Sequence, residues 1–413
     1  MRLVITGISY APETTGIAPY TTGLAEHLAA GGHEVTVITG VPSYPQWRVK
    51  PEYRRVLRSY EHHGGVEVRR IRNYVPAHQS TLKRGLYEAS FLAGGLTMLG
   101  MPAPDAVVGV VPSLSGGVLA RAAARRLGCP YGLIFQDLIS PAARQSGVGG
   151  GRVAGVIGAA ETWTARGAAA IGIIAEGFRP YLESLGVPPD RIHRVRNWLH
   201  VDGPTLDRAA VRRLLGLPLD AQICLHAGNM GYKQGLANVI ECARLAAEAE
   251  PRLLFVLMGD GNQRQQLIGL AQRYRLPNLR FLPIQPAELF TSVLAAADML
   301  LVNQRASVTN MSLPGKLTSY FASGRPLVAA VSPESETARE LAATGSGVLV
   351  TPDQPGLLLE AIRKLAADPD RQDELGGAGA RYAHTTLSAA QALAGLTDLV
   401  ETVAAAGARG RPS

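Results

Sequence analysis

The apolar run Ile223-Cys224-Leu225-His226-Ala227 stops at Gly228-Asn229-Met230-Gly231-Tyr232-Lys233-Gln234-Gly235, and a helical pattern follows from Leu236 through Ala246. A short apolar run bounded by glycine reads as a buried parallel strand, and the segment after it as a crossover helix. Strand, glycine loop and helix aim backbone N–H groups and a helix N-terminus at one point, where an anion is favoured. Lys233 adds a positive charge nearby. The spacing is neither the compact dinucleotide fingerprint nor the phosphate loop of the NTPases. A diphosphate held in the middle of a long chain fits it, which points to a nucleotide-sugar.

The same alternation runs the length of the chain. Strands are predicted at Leu3–Ile8, Val35–Ile38, Val66–Ile71, Ala106–Val111, Gly132–Phe135 and Ala170–Ile174, with helices at Ile17–Ala30, Gly117–Leu127 and Arg152–Arg166. A turn-rich stretch from Asn197 to Thr205 marks a boundary. The pattern then restarts, with strands at Ile223–Ala227, Leu253–Met258, Leu279–Leu282, Met299–Val302, Leu327–Ala330 and Gly347–Val350. Two doubly wound α/β units are therefore expected: Rossmann-like domains over 1–200 and 201–386, facing a cleft. A terminal helix and tail, 387–413, is expected to pack back toward the first.

Composition narrows the classes. With 413 residues, 46% hydrophobic and 18% charged, the chain has material for two cores. Cys129, Cys224 and Cys242 have no metal-ligand or disulfide spacing and read as buried thiols of a reducing cytosol. The net charge of +8 is uneven: Arg48, Lys50, Arg54, Arg55, Arg58, Arg69, Arg70, Arg72, Lys83 and Arg84 crowd between Val41 and Ser90. A basic face of this kind meets phosphorylated substrates or an anionic bilayer. No nucleic-acid-binding motif accompanies it, so no nucleic-acid partner is expected. No secretory signal and no apolar run of spanning length is visible, so a cytoplasmic chain, at most peripheral at the inner membrane face, is expected. Lys83 and Arg84, followed by the apolar stretch Leu86–Met101 with Tyr87 and Phe91, form the membrane-surface candidate; the alternative is a buried helix with a solvated basic start. The histidines form no metal constellation, and no G-x-S-x-G elbow suggests a hydrolase.

Taken in order, Tyr10-Ala11-Pro12-Glu13-Thr14-Thr15-Gly16-Ile17, Val41-Pro42-Ser43-Tyr44-Pro45-Gln46-Trp47, Ser80-Thr81-Leu82-Lys83-Arg84, Gln136-Asp137, Asn197-Trp198, the Gly228–Gly235 segment and Leu313-Pro314-Gly315-Lys316-Leu317-Thr318 resemble family 4 of the retaining, GT-B-fold glycosyltransferases. The branch resembled is that of colanic-acid and exopolysaccharide biosynthesis, and the likeness covers nearly the whole chain.

The resemblance implies roles for particular residues. Gly16 allows close backbone approach to the donor diphosphate or the acceptor, or is an ordinary turn glycine. Glu13 orients a sugar hydroxyl, or is a first-turn acid favoured by the helix dipole. Tyr44 and Trp47 line the acceptor side, or simply pack their loop. Gln136 stands where many relatives carry histidine; it can bond a sugar hydroxyl but cannot be a general base. Asp137 accepts a hydroxyl proton or holds an acceptor, or caps its loop. Asn229 occupies the place of an arginine that pairs with the lysine in many relatives, leaving Lys233 as the principal cation for the leaving diphosphate. The family's glutamate pair is absent; those places hold Met311 and Ser319. Gly315, Lys316 and Leu317 open a helix expected to touch donor phosphate or ribose, with Ser319 on the donor side. Gly259, Asp260 and Ile284, on loops after two strands, are expected to cradle the nucleoside, though Asp260 is equally a turn residue.

The implied function is transfer of a sugar from a nucleotide-sugar to an acceptor hydroxyl, with retention and with neither cofactor nor metal. A lipid-linked glycan is the favoured acceptor and a soluble small molecule the alternative. A nucleotide-sugar epimerase and a non-catalytic sugar-nucleotide-binding protein are the readings from other classes.

Overall fold

The computed structural model describes residues 1–44, 46–77, 80–111, 113–138, 140, 150–309 and 313–408. They form two compact units: Met1–Asn197 together with residues from Ala390 onward, and Trp198–Ala389.

The first unit is built on strands β1 (Arg2–Thr6), β2 (Glu34–Gly40), β3 (Arg58–His63), β4 (Val66–Ile71), β5 (Ala106–Val111), β6 (Tyr131–Phe135), β7 (Ala170–Ile173) and β8 (Ile192–Arg194). They lie in the order β3-β4-β2-β1-β5-β6-β7-β8. Neighbours are parallel except β3, which runs antiparallel along β4. The order reverses between β1 and β5, so the loops after these strands part and leave a crevice at their carboxyl ends. The flanking helix Leu114–Leu127 shows how the sequence sets its ends. The Ser113 hydroxyl accepts from the Gly116 N–H, and Gly128 closes the helix at φ 69°. Its small face, Leu119, Ala120, Ala123 and Ala124, is buried. The helix Ala389–Ala408 covers the other part of this sheet. A β-carbon at Gly132 would meet Val403, one at Gly172 would meet Leu399, and one at Gly407 would meet Pro130.

The second unit contains β9 (Gln222–Ala227), β10 (Leu253–Met258), β11 (Leu279–Leu282), β12 (Met299–Asn303), β13 (Leu327–Ala330) and β14 (Gly347–Val350), all parallel. Their order, β11-β10-β9-β12-β13-β14, is the doubly wound Rossmann order, with its reversal between β9 and β12. β9 pairs with β10 in level register, Ala227 opposite Met258, which sets the loops that follow them side by side. Alternate residues feed opposite layers: Ile223, Leu225 and Ala227 join one core, Cys224 the other. Beneath the opposite edge Arg212 is almost fully buried, held by Asp298 Oδ2 at 2.7 Å and by the carbonyls of Ala296, Leu219 and Ala221. Asp298 Oδ2 also accepts the Ile223 N–H, so one buried ion pair ties the start of β9 to that of β12.

Several expectations change. The edge strands β3 and β8 and the helices Arg179–Ser184, Arg208–Leu214 and Pro369–Thr385 were not predicted. The helix expected at Leu86–Met101 runs Thr81–Leu96, capped by Ser80. Cys224 and Cys242 are buried, but Cys129 is half-buried. Tyr87 and Phe91 are buried at 6% and 0% exposure rather than facing outward. Arg69 and Arg70 also turn inward and brace loops, so the expected basic face is thinner than the sequence suggests. Among the described residues no helix is long and apolar enough to cross a membrane.

Candidate functional site

In the first unit the residues singled out above gather at the carboxyl edge of the sheet. The loop after β1 carries Glu13 and Gly16, the loop after β2 carries Tyr44 and Trp47, and Gln136 and Asp137 follow β6. Glu13 is buried, and its Oε1 accepts the backbone N–H groups of Ser43 and Tyr44 at 2.7 and 2.8 Å. It thereby ties the first loop to the second. It is not a first-turn acid, because the helix begins only at Ala18. Burial pushes the Glu13 carboxyl up, against the pull of those two N–H groups. The first loop is also held by Thr22, which accepts the Ala11 N–H, by Lys50 on the Pro12 carbonyl, and by Arg70 on the Ala11 carbonyl. Gly16 stands at φ 68°, and a β-carbon there would lie 3.0 Å from the Tyr44 ring. A side chain is therefore disfavoured twice, by backbone conformation and by crowding against the aromatic ring.

Glu13→Ala leaves two amides without their acceptor, at about 1–3 kcal/mol for each buried group. We expect the first unit to lose about 2–4 kcal/mol in urea unfolding.

Gln136 is paired with Asn197: its Nε2 donates to Asn197 Oδ1 at 3.1 Å, and Asn197 Nδ2 donates back to its Oε1 at 2.8 Å. The amide is therefore engaged with a partner 61 residues away rather than held open. Asp137 is half-buried, and its charge, like that of Glu13, raises the Tyr44 phenol beyond the main effect of burial. Trp47 packs edge-on against Tyr44 and Tyr87, at 6.2 and 5.4 Å between ring centres. Arg84 lies over Trp47 and Tyr87 and pairs with Glu88 at 3.1 Å. Its charge is used within the unit.

The second unit places its residues around the β9/β12 reversal. Gly228, Gly259 and Gly261 have φ of 130°, 139° and 156°, values that side chains rarely tolerate. Backbone bonds lace the two loops: Gly228 N–H to Met258 O, Met230 N–H to Asp260 O, and Gln263 N–H to Met230 O. The approach is so close that a β-carbon at Gly259 would fall 1.9 Å from the Gly228 carbonyl oxygen. Asp260 Oδ1 accepts the Gly261 N–H at 2.8 Å, a turn-residue role.

A second clamp comes from the end of β12. Asn303 Nδ2 donates to the carbonyls of Gln234 and Gly235, and Arg305 N–H to that of Lys233. The Arg305 guanidinium lies 3.8 Å from the centre of the Tyr232 ring. These contacts fix the turn Tyr232–Gln234, which presents the half-buried Lys233. Gly235, left-handed at φ 55°, then admits the helix Ala237–Ala249, whose start has no side-chain cap.

The helix Lys316–Ala322 completes the rim. Tyr320 pins the end of β9, its hydroxyl accepting the Ala227 N–H at 2.7 Å and donating to the Ala227 carbonyl at 3.1 Å. Leu317 and Ser319 are buried, and the Leu317 N–H is already bonded to the Pro314 carbonyl. Their side chains face the interior. Gly315 and Ile284 are exposed, Ile284 at 55%. Lys316 Nζ reaches the His226 ring at 3.4 Å. Met311 and Pro45 lie outside the described residues. Among the described residues no cluster of three His, Cys, Asp or Glu side chains is arranged to hold a metal.

Sequence reading missed His226, Tyr320, Asn303 and Arg305. A histidine inside an apolar strand, two residues before a glycine loop, was the one available signal for His226.

Residues 15–198 match the family model described as glycosyl transferase 4-like domain, and residues 207–382 match glycosyl transferases group 1. A curated relative, the putative colanic acid biosynthesis glycosyl transferase WcaI of Escherichia coli (strain K12), is 34% identical over 379 residues, covering 88% of this chain and 92% of its own. The chain belongs to the GT-B, family 4-like glycosyltransferases. The fold of this glycosyltransferase is shared with sucrose-phosphate synthase from Thermosynechococcus elongatus, at TM-score 0.77 and 18% identity over 98% of this chain and 99% of that one. It is shared also with Anabaena Alr3699/HepE, solved with UDP-glucose, at TM-score 0.69 and 17% identity over 98% and 100%. The glycosyltransferase therefore presents two sheet edges whose loops are braced from within: one rich in carboxylate and aromatic groups, one in glycine and lysine.

Proposed function

We propose that this glycosyltransferase transfers a sugar from a nucleotide-sugar to an acceptor hydroxyl with retention at the anomeric carbon. The observation that carries the donor reading is the β9/β12 rim. There three glycines at positive φ bring bare backbone to one place, beside Lys233 and Lys316, for which no carboxylate partner is found among the described residues. Bare backbone and amino groups without a carboxylate partner are what a diphosphate requires. The presence of UDP-glucose in the HepE structure supports the same reading.

In the proposed course the acceptor oxygen bonds to the anomeric carbon on the face from which the diphosphate departs. The sugar–diphosphate bond breaks, and the acceptor proton passes to a diphosphate oxygen. Lys233 and Lys316 offset the charge that develops on the leaving group, and no metal ion is required. Asp137 orients the acceptor hydroxyl. Activity that survives a chelator would support the metal-free part, and activity restored only by a divalent ion would refute it.

We propose further that the acceptor is a lipid-linked glycan of polysaccharide biosynthesis. The relative's role in colanic acid biosynthesis supports this, and so does the helix Thr81–Leu96. Its buried face carries Tyr87 and Phe91, while Leu82, Leu86 and Leu96 are left outward at 75, 49 and 42% exposure, next to Lys83. With Arg84 engaged internally, the leucines are the residues to test. Leu82→Glu/Leu86→Glu is expected to abolish flotation with anionic liposomes that wild type shows. A wild type that never floats favours a soluble acceptor. Incubation with GDP-, UDP-, ADP- and dTDP-sugars, with and without lipid-linked acceptor, tests the whole reading. Donor consumption only with acceptor supports a transferase, isomerised donor without acceptor an epimerase, and binding with no turnover a silent binding protein.

A further inference from the structure

Position 226 lies within the apolar strand Gln222–Ala227 yet is a histidine at 0% exposure. Its ring lies against the backbone of Asn229, on the loop after β9, and of Leu301, on β12, both of which favour a proton on it. It therefore bridges the two strands on either side of the reversal. Its third neighbour is Lys316, whose Nζ stands 3.4 Å from both ring nitrogens and 5.7 Å from the centre of the Tyr320 ring. Beyond Nζ the space is kept open by Gly228, where a β-carbon would lie 3.5 Å away.

An imidazolium and an ammonium do not share such a site. Burial first, and Lys316 second, hold His226 well below the usual histidine range, so the ring is neutral. Residue 316 is half-buried, with Nζ against the fully buried His226 ring, and burial brings its amino group down to about 7. Lys233 is on the loop after β9, Asp260 is turned to the Gly261 N–H, Arg305 lies over Tyr232, and the Tyr320 hydroxyl is bonded to Ala227. None of them forms an ion pair with Nζ among the described residues.

We propose that Lys316 takes up a proton from solvent as the donor diphosphate arrives beside Gly228, and that His226 is the positioning residue that holds Nζ there. The inference rests on the donor reading and deepens it. One N–H bond forms on the amine, solvent supplies the proton, and no bond of the ligand changes. The diphosphate's negative charge offsets the cost of a buried ammonium. When the nucleoside diphosphate leaves, the proton returns to solvent. Above pH 7 the free protein thus carries little charge at this site, and the cation appears when its counter-charge is present.

The test is titration calorimetry of UDP, GDP, ADP and dTDP in Bicine and in Tris, two phosphate-free buffers of different ionisation enthalpy. It is run at pH 8.5, where the ligand's own phosphates are fully ionised. Wild type is expected to take up close to one proton per nucleoside diphosphate bound, against about half a proton through Lys316 at pH 7. Lys316→Met is expected to bind roughly tenfold or more weakly, with no uptake through this site. His226→Ala no longer holds Nζ beside Gly228, so both binding and uptake are expected to fall. His226→Gln, neutral and able to bond the same backbone groups, restores uptake. Equal binding heats in both buffers for wild type, or uptake unchanged in Lys316→Met, would overturn the proposal while leaving the donor reading intact. Failure of all four diphosphates to bind defeats both.

Discussion

Gly259→Ala is expected to unfold the donor rim and abolish nucleotide binding. The added methyl would lie 1.9 Å from the carbonyl oxygen of Gly228 and 2.8 Å from its carbonyl carbon, at a residue held at φ 139°. Both obstacles are backbone, so no side chain can swing aside. Overpacking costs about 1–3 kcal/mol and a forced backbone conformation about as much again, for a loss of roughly 2–6 kcal/mol. The loops after β9 and β10 are level in register and tied by three backbone bonds, so they must separate together. Denaturant unfolding should show the loss in the second unit, and thermal stabilisation by nucleoside diphosphates should vanish. Gly269→Ala supplies the control. It sits in the helix Arg264–Tyr274 with nothing within 4 Å of the added carbon. There alanine is expected to be neutral or to stabilise by up to about 1 kcal/mol. A Gly259→Ala protein that kept wild-type stability and nucleotide affinity would remove the close approach of the two loops from the account.

Lys233→Ala should behave in the opposite way, sparing the fold and removing the activity. The Lys233 backbone is what the structure uses, through its carbonyl and the Arg305 N–H, and alanine keeps that bond. The side chain is half-buried with no carboxylate partner among the described residues. Stability should change by no more than about 0.5 kcal/mol. Turnover should fall about 100- to 1000-fold, the usual loss when one preorganised donor to a developing charge is deleted. Arginine should recover only part of it, because a planar fork does not reproduce a compact ammonium. Steady-state kinetics with a nucleotide-sugar, beside urea unfolding of the same preparations, measures both quantities. Turnover within a few-fold of wild type would shift the electrostatic burden to Lys316 and the backbone.

What the sequence made legible followed from burial. β9, β10 and β13 are central parallel strands covered on both faces, so they read as apolar runs, broken in β9 only at His226 and its first residue Gln222, and they were located to within a residue. β3 escaped because Arg58-Ser59-Tyr60-Glu61-His62-His63 lies on an exposed edge and has no apolar face. The helix Pro369–Thr385 escaped for another reason. Gly376, Gly377 and Gly379 argue against a helix by propensity. A β-carbon at 376 would meet the Gly324 carbonyl at 2.1 Å, so tertiary packing requires the glycine that local preference rejects. The glycine loop of the donor half was visible because its chemistry is local. The Gln136–Asn197 pair, 61 residues apart, and the His226–Lys316 contact, 90 apart, were not, because only the folded sheets bring their members together.

The discontinuity of the first unit bears on how the chain is made. The helix Ala389–Ala408 supplies the side chains that fill the hollows over Gly132 and Gly172, but it leaves the ribosome after the whole of Trp198–Ala389. At about 5–20 residues per second, that interval is roughly 10–40 s. During it the face of β6 and β7 over Gly132 and Gly172 lacks this cover, while the second unit, continuous in sequence, is free to finish. The half that begins first is the half that is completed last, and nascent first units must wait with an open apolar face that chaperones or neighbouring chains can reach.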